Sequence, residues 1–274
     1  MPEPELVPLT PEQKAKRAAS FGGAAPHYER YRPGPPVEAA DWLLPAPVRT
    51  LVDLGAGTGA LTRLVVGRAD EVVAVEPDDR MRAVLAQSVP GVRAVAGRGE
   101  SIPLPDASAD AVLASSSWHW MDLVPTLVEV GRVLVPGGVL AAVWSGPDPD
   151  LGLIAQARAL LGGDGSSDID DQNWAELSAA LNDRSALVQA LEIPPGLPFD
   201  QPERKVITWD AALNADELIG LMGTFSWMIL MDDVARERLF ETARRVLRDS
   251  LGVSGDVTVD IGYRAEVFKA RRHG

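Results

Sequence analysis

The 274-residue chain is 46% hydrophobic and 24% charged, ordinary globular usage with room for one domain plus an insertion, or two small domains, around a sizeable core. Its 26 basic and 39 acidic residues leave a formal charge of −13, which repels phosphate backbones and anionic lipid and sets nucleic acid and membranes aside as expected partners. With no cysteine and only three histidines, His27, His119 and His273, disulfide scaffolds, thiolate zinc sites and cysteine nucleophiles are excluded and no metal site is expected.

The opening MPEPELVPLTPEQ has neither a basic n-region nor an apolar h-region, so no signal peptide is expected. No apolar run reaches the ~18 residues of a membrane span, and a cytoplasmic location is the expectation. Residues 1–12, rich in Pro and Glu, have little to pack into a core. Gln13 to Leu44 predicts one or two helices broken at Pro33–Pro36. A regular alternation follows. Strands are predicted at Thr50–Leu54, Glu71–Val75, Val92–Ala96, Ala109–Ala114 and Val139–Trp144, with helices at Ala60–Gly67, Asp78–Gln87 and Leu123–Val133 between them. Apolar strands separated by helices predict a parallel sheet covered on both faces, an α/β fold. Beyond Trp144 the alternation stops. Gly162–Asp171 is an exposed acidic, glycine-rich stretch, Lys205–Trp209 a sixth strand, Ala211–Leu230 an apolar helix, Asp233–Asp249 a charged helix and Val257–Ala270 a closing strand.

The sharpest motif is Val52-Asp53-Leu54-Gly55-Ala56-Gly57-Thr58-Gly59, where a strand turns into a helix. Glycines let the backbone turn tightly and approach a ligand, and the helix that follows directs its positive end there. Gly55 to Ala60 also satisfies the dinucleotide pattern GxGxx(G/A), and a tight turn without ligand would need fewer glycines. Glu76 follows the second strand about 20 residues past the glycines, where an acid can accept both hydroxyls of a ribose. Its duller reading is a helix N-terminal acid before Pro77 and Asp78.

Taken in order, VDLGAGTGALT, VVAVEPDDRM, GRGESIPLPDASADAVLASSSWHWMD and EVGRVLVPGGVLAAVW resemble the class I methyltransferases that use S-adenosyl-L-methionine (SAM). Within them the chain is similar to members with an N-terminal YRPG-type segment and a His-Trp pair after the fourth strand, some of which methylate small carboxylic acids. The resemblance implies a Rossmann-like, doubly wound, seven-stranded sheet, mostly parallel with its last strand antiparallel, with an N-terminal helical lid and a helical insertion after the fifth strand. It divides the chain into extension and lid (1–44), SAM-binding core (45–145), variable acceptor-binding region (146–204) and completion of the sheet (205–274). It implies SAM as cofactor, held by Asp53, Gly55, Ala56 and Gly57 at the methionine part, Glu76 and Pro77 at the ribose, Met81, Gly99 and Glu100 around the adenine, and Ser115 beside the methionine end. Many members carry an Asp where this chain has Arg98, so Glu100 or a backbone group must read the adenine amino group instead.

Tyr28 and Arg32 read as lid residues able to close over a carboxylate, since Arg grips carboxylates in a fork; a surface helix is the plainer alternative. His119, between Trp118 and Trp120 beyond the fourth strand, lies where open α/β sheets place their ligands. It is the candidate catalytic base, or else a structural histidine between packing tryptophans. Phe225-Ser226-Trp227-Met228 lines the acceptor pocket or the core. The expected activity is methyl transfer to a small-molecule acceptor, most naturally the oxygen of a carboxylate or hydroxyl, by a monomer or homodimer. The rivals are a SAM-binding protein with another reaction or none, and an NAD-dependent oxidoreductase.

Overall fold

A computed structural model describes residues 21–44, 46–148, 150–152 and 190–274. Seven strands among these form one sheet: β1 (Val48–Leu54), β2 (Ala69–Val75), β3 (Arg93–Val95), β4 (Ala109–Ser115), β5 (Leu134–Pro147), β6 (Glu203–Leu213) and β7 (Val259–Arg271). Their order is β3-β2-β1-β4-β5-β7-β6. Strands β1 to β5 pair in parallel, and β7 runs antiparallel to both β5 and β6. This is the Rossmann-like arrangement the motifs imply. The strand order reverses between β1 and β4, so the carboxyl ends of β1, β2 and β4 open a crevice at a topological switch point, where such sheets bind ligands.

The inner stretches of the parallel strands are apolar because both faces are covered. Val52, Leu54, Val112 and Ala114 point to one core, shared with Leu127 and Val130 of the helix Leu123–Val133. Leu51, Leu113 and Val143 point to the other, against Leu43, Leu61 and Val65. Each of these residues is essentially inaccessible; burying a Val or Leu side chain stabilises by about 1.5–3 kcal/mol. The covering helices are α1 (Ala25–Tyr31), α2 (Val37–Leu43), α3 (Ala60–Val65), α4 (Asp79–Ser88) and α5 (Leu123–Val133). The expected break between two N-terminal helices falls at Arg32–Pro36, which carry no helix.

A third core lies where β6 and β7 run on past the parallel strands. There Leu218, Met228 and Leu239 pack against Ile261 and Tyr263, brought by α6 (Ala215–Met222), α7 (Ser226–Ile229) and α8 (Asp233–Arg245). The helix expected from Ala211 begins four residues later. Ala211, Ala212 and Leu213 pair instead with Ile261, Asp260 and Val259, and Asn214 starts α6 with a reciprocal capping box to Glu217. The expected charged helix ends at Arg245 and passes into a π turn, Val246–Ser250. Along the β6–β7 pair, Glu266, 1% exposed, is held by Arg204 at 2.7 Å and Arg264 at 2.6 Å, as a buried carboxylate requires. The helical insertion after the fifth strand and the Gly162–Asp171 stretch lie outside the described residues, as do residues 1–20.

Candidate active site

At the end of β1 the chain passes through Gly55 (φ 71°), Gly57 (φ 58°) and Gly59 (φ 96°), left-handed conformations that side chains resist. The turn spends its amide groups internally. Gly55 and Ala56 both donate to the Val75 carbonyl at 2.8 and 3.1 Å, Gly59 donates to the Ala56 carbonyl at 2.9 Å, and Gly57 donates to Glu76 Oε2 at 2.9 Å. The turn thus hangs from the end of β2. A side chain at Gly57 would project into open space, whereas one at Gly55 would run into Ser117.

Glu76, 8% exposed, receives a second amide, Asp78 N–H to Oε1 at 2.9 Å. Burial raises its pKa, opposed by these two backbone donors. Arg82 clamps the loop from α4, donating to the carbonyls of Glu76 and Pro77 at 2.6 and 3.0 Å. Met81, 5% exposed, packs at the start of the same helix, which Asp78 caps.

Asp53 lies fully buried beneath the turn. Thr62 of α3 donates to its Oδ2 at 2.6 Å, while Oδ1 has no partner among the described residues. Burial, reinforced by the Glu76 charge, pushes the Asp53 carboxyl up to about 7 against the help of Thr62.

The far wall comes from the segment after β4. Ser115 pairs with Val143, Ser116 adopts φ 50°, and Ser117 donates to the Leu54 carbonyl at 2.8 Å, tying this segment to the turn. The next residues, Trp118–Trp120, form one 3-10 turn. His119 lies tilted against the Trp120 ring at 4.4 Å, and its Nδ1 accepts the indole N–H of Trp144 at 3.1 Å. Trp144 sits near the end of β5, 1% exposed, edge-on to Phe268 at 5.8 Å.

Gly99 is wedged so tightly against Met121 and Thr126 that no side chain fits. Glu100 Oε1 accepts the Asp122 N–H at 2.7 Å, which ties this carboxylate to the start of α5. Arg98 and Ser101 form a small backbone bridge.

Tyr28 lies in α1, and Arg32 caps the end of that helix. The Arg32 guanidinium sits over the rings of Tyr28 at 5.7 Å and Phe225 at 5.2 Å. Its charge acts on Tyr263, whose hydroxyl is buried with no partner among the described residues and whose pKa is raised by that burial. Of the other three residues in the expected Phe225–Met228 patch, Met228 is core, and the side chains of Ser226 and Trp227 lie outside the description. The structure therefore brings Asp53, the Gly55–Gly59 turn, Glu76, Ser115 and His119 to one sheet edge. Thr62, Ser117, Trp144 and Tyr263 join them without having been singled out in the sequence. Thr62, Ser117 and Trp144 lie within the quoted motifs, but nothing local marks the roles of the last two or of Tyr263: their partners are 25 to 63 residues away or, for Tyr263, on the N-terminal segment.

Comparison with known proteins bears on this edge. The family described as a methyltransferase domain matches residues 52–142. An uncharacterized methyltransferase of Mycobacterium tuberculosis is 39% identical over 228 residues, covering 83% of this chain and 85% of that one. A malonyl-[acyl-carrier protein] O-methyltransferase of Enterobacter lignolyticus is 32% identical over 137 residues, 48% of this chain and 55% of its own. Among solved structures, one assigned as a type II methyltransferase from Anaeromyxobacter dehalogenans superposes with a TM-score of 0.61 at 22% identity, over 88% of this chain and 98% of that one.

Proposed function

The chain belongs to the class I SAM-dependent methyltransferases, and from that premise we propose that it passes the methyl group of SAM to an oxygen of a small-molecule acceptor. The observation that carries the reading is the bond from Gly57 N–H to Glu76. It joins a glycine turn and a buried acid into one wall, and each oxygen of Glu76 keeps a lone pair for a vicinal diol. The unpartnered Oδ1 of Asp53 suits a ligand that brings a donor or a cation, and the open space at Gly57 suits a ligand lying along the turn. These features fit SAM. Asp53, Gly55, Ala56, Gly57 and Ser115 would hold its amino-acid part, Glu76 and Pro77 its ribose, and Met81 and Gly99 its adenine. With one Glu100 oxygen engaged at Asp122, backbone groups near Gly99 are the better candidates for the adenine amino group. Tyr28 and Arg32 would close the amino-acid end or grip an acidic acceptor.

SAM supplies a methyl carbon already activated by its sulfonium. What remains for the chain is to align the acceptor with that methyl and to keep water out. The hydrogen bonds of the turn disfavour a dinucleotide pyrophosphate, because Gly55, Ala56 and Gly57 already donate within the protein. An oxygen acceptor is favoured by the O-methyltransferase relative and by the Arg32 guanidinium, a fork for carboxylates, whose charge acts on the buried Tyr263 hydroxyl.

Methyl-labelled SAM offered with panels of small carboxylic acids, phenols and amines tests the reading. We expect labelled product from an oxygen nucleophile, and release of the label as methanol in mild alkali would mark a carboxyl ester. Tight SAM binding with no transfer to any panel would leave a SAM-binding protein, and NADH binding in place of SAM would leave an oxidoreductase.

A further inference from the structure

We propose that Arg32 and Tyr263 together form an anchoring site for a carboxylate of the methyl acceptor, distinct from the oxygen that takes the methyl. The substrate class is then an organic acid with a second nucleophilic oxygen. This rests on the reading of the crevice as a methyl-transfer site, and it gives Arg32 to the acceptor and not to SAM.

The argument begins with a hydroxyl that the fold does not use. Tyr263 is 2% exposed, and its hydroxyl has no hydrogen-bond partner among the described residues. A buried O–H left unpaired is costly. Phe would pack beside Trp209, whose ring lies 5.2 Å away, without that cost. A ligand oxygen supplies the missing partner.

The register shows which way Tyr263 faces. Strand alternation sets it on the sheet face of Ala265 and Val267, which share a core with Leu61 and Val65 of α3; α3 also holds Asp53 through Thr62. The N-terminal segment covers that region. Tyr31 packs at Gly220 of α6, whose neighbours Ile219 and Leu221 belong to the cluster of Tyr263. Arg32 follows directly. Its guanidinium sits over Phe225, which packs on the same cluster, and its charge reaches the Tyr263 hydroxyl. Ring faces attract a guanidinium but take none of its in-plane N–H donors. It makes no ion pair or hydrogen bond among the described residues, in a chain with 39 acidic residues. A charged fork and a buried hydroxyl without an acceptor together suit a carboxylate. Arg32 is half-buried and meets the acid first; the hydroxyl becomes reachable as α1, whose end Arg32 caps, shifts.

Position and chemistry make this carboxylate the anchor. β4 ends at Ser115, level with Val143 of β5. Tyr263 is level with Pro147, four residues further on, about 13 Å at the usual strand rise. A guanidinium that neutralises an oxygen also blunts its attack on a sulfonium methyl. The second oxygen therefore forms the O–CH3 bond as the C–S bond breaks, the electron pair of that bond staying on sulfur in S-adenosylhomocysteine. A carboxylate oxygen has no proton to lose, and a hydroxyl gives its proton to solvent.

The chain has three tyrosines, so 13C at tyrosine Cζ gives a short spectrum that Tyr263→Phe assigns. In full-length protein at constant ionic strength, with and without S-adenosylhomocysteine, the Tyr263 signal should move saturably with acetate and not with acetamide. Half-saturation is expected in the millimolar range, about what four non-hydrogen atoms supply. Arg32→Gln should abolish the movement. No saturation, an equal response to acetamide, or a response that survives Arg32→Gln overturns the proposal. A response lost when S-adenosylhomocysteine binds assigns Arg32 to the SAM carboxylate and also overturns it. Without ligand, Tyr263→Phe should melt no lower than wild type; a lower midpoint means that the hydroxyl serves the fold and sinks the idea. Calorimetry with S-adenosylhomocysteine tests the methyltransferase reading separately, so the two failures are distinguishable. With an acid from the labelled panel, Tyr263→Phe should raise KM roughly tenfold or more, the loss of a hydrogen bond to a charged group, with kcat little changed. A fall in kcat at constant KM counts against an anchor, as does a set of accepted substrates with no carboxylate beyond the methylated oxygen.

Discussion

Asp53 is enclosed by β2, β4 and Thr62, and its chemistry is dominated by the lack of water. Its carboxyl, pushed up to about 7, holds a proton in the folded protein at pH values where the unfolded chain has lost it. The folded state then binds more protons, so stability falls as pH rises from about 4 to about 7 and levels off above. The span is about 4 kcal/mol at most, at 1.36 kcal/mol per unit. Asp53→Asn should flatten that stretch of the urea-midpoint profile; an unchanged slope would place the dependence elsewhere. Two further substitutions read the cofactor wall. Gly57→Val both fills the open space beside the turn and strains a backbone at φ 58°, so SAM should become undetectable by calorimetry, with the fold checked by circular dichroism; normal SAM affinity would remove the turn from the site. Glu76→Ala removes charge-assisted bonds worth about 1.5–3 kcal/mol, and the dissociation constant should rise roughly 10- to 150-fold. An unaltered constant would reduce Glu76 to the loop acid that caps the Asp78 amide. These residues were legible from spacing, because a glycine turn and an acid at strand ends are local signals. Trp144 was not, since its role depends on the register of β5 against β4, which no short stretch of sequence reveals.

The element that most needs explaining is α1. Its seven residues touch several parts of the molecule at once. His27 shares a hydrogen bond with the Gly220 carbonyl at 2.9 Å, Tyr31 packs where Gly220 has no side chain, and Glu29 pairs with Arg63 of α3 at 2.5 Å. A short helix held by a few such contacts opens at low cost. Amide exchange across residues 25–34 should therefore slow on binding S-adenosylhomocysteine, and equal rates in both states would remove the lid from the account. Gly220→Ala should act the other way. Its methyl would overlap the Tyr31 ring, so exchange in residues 25–34 should quicken even without ligand. The break after Tyr31 could be read from the Pro33–Pro36 cluster. The start of α6 was misplaced because Ala211, Ala212 and Leu213 are good helix formers; strand pairing with β7 outweighs that preference. The Asn-x-x-Glu spacing of Asn214 and Glu217 was the signal that marks the true start.

Across the whole molecule, the parallel half was visible in sequence because strands buried on both faces read as unbroken apolar runs. The antiparallel half was harder, since β6 faces solvent along much of its length and alternates too weakly to fix its ends. Sheet order also has a bearing on how the chain is made. β6 is complete some 45 residues before β7 begins, yet among the described strands it pairs only with β7, and β7 reaches β5 across more than a hundred residues of chain. On a ribosome that emits the chain from its N-terminus, β1 to β5 can assemble early, but the flank of β5 stays an open edge and β6 has no neighbour until β7 emerges. Pairings that distant form slowly, and an uncovered strand edge invites other chains. Protein lacking residues 259–274 should accumulate as insoluble material, and slowing translation ahead of Val259 should lengthen the interval in which a chaperone is needed.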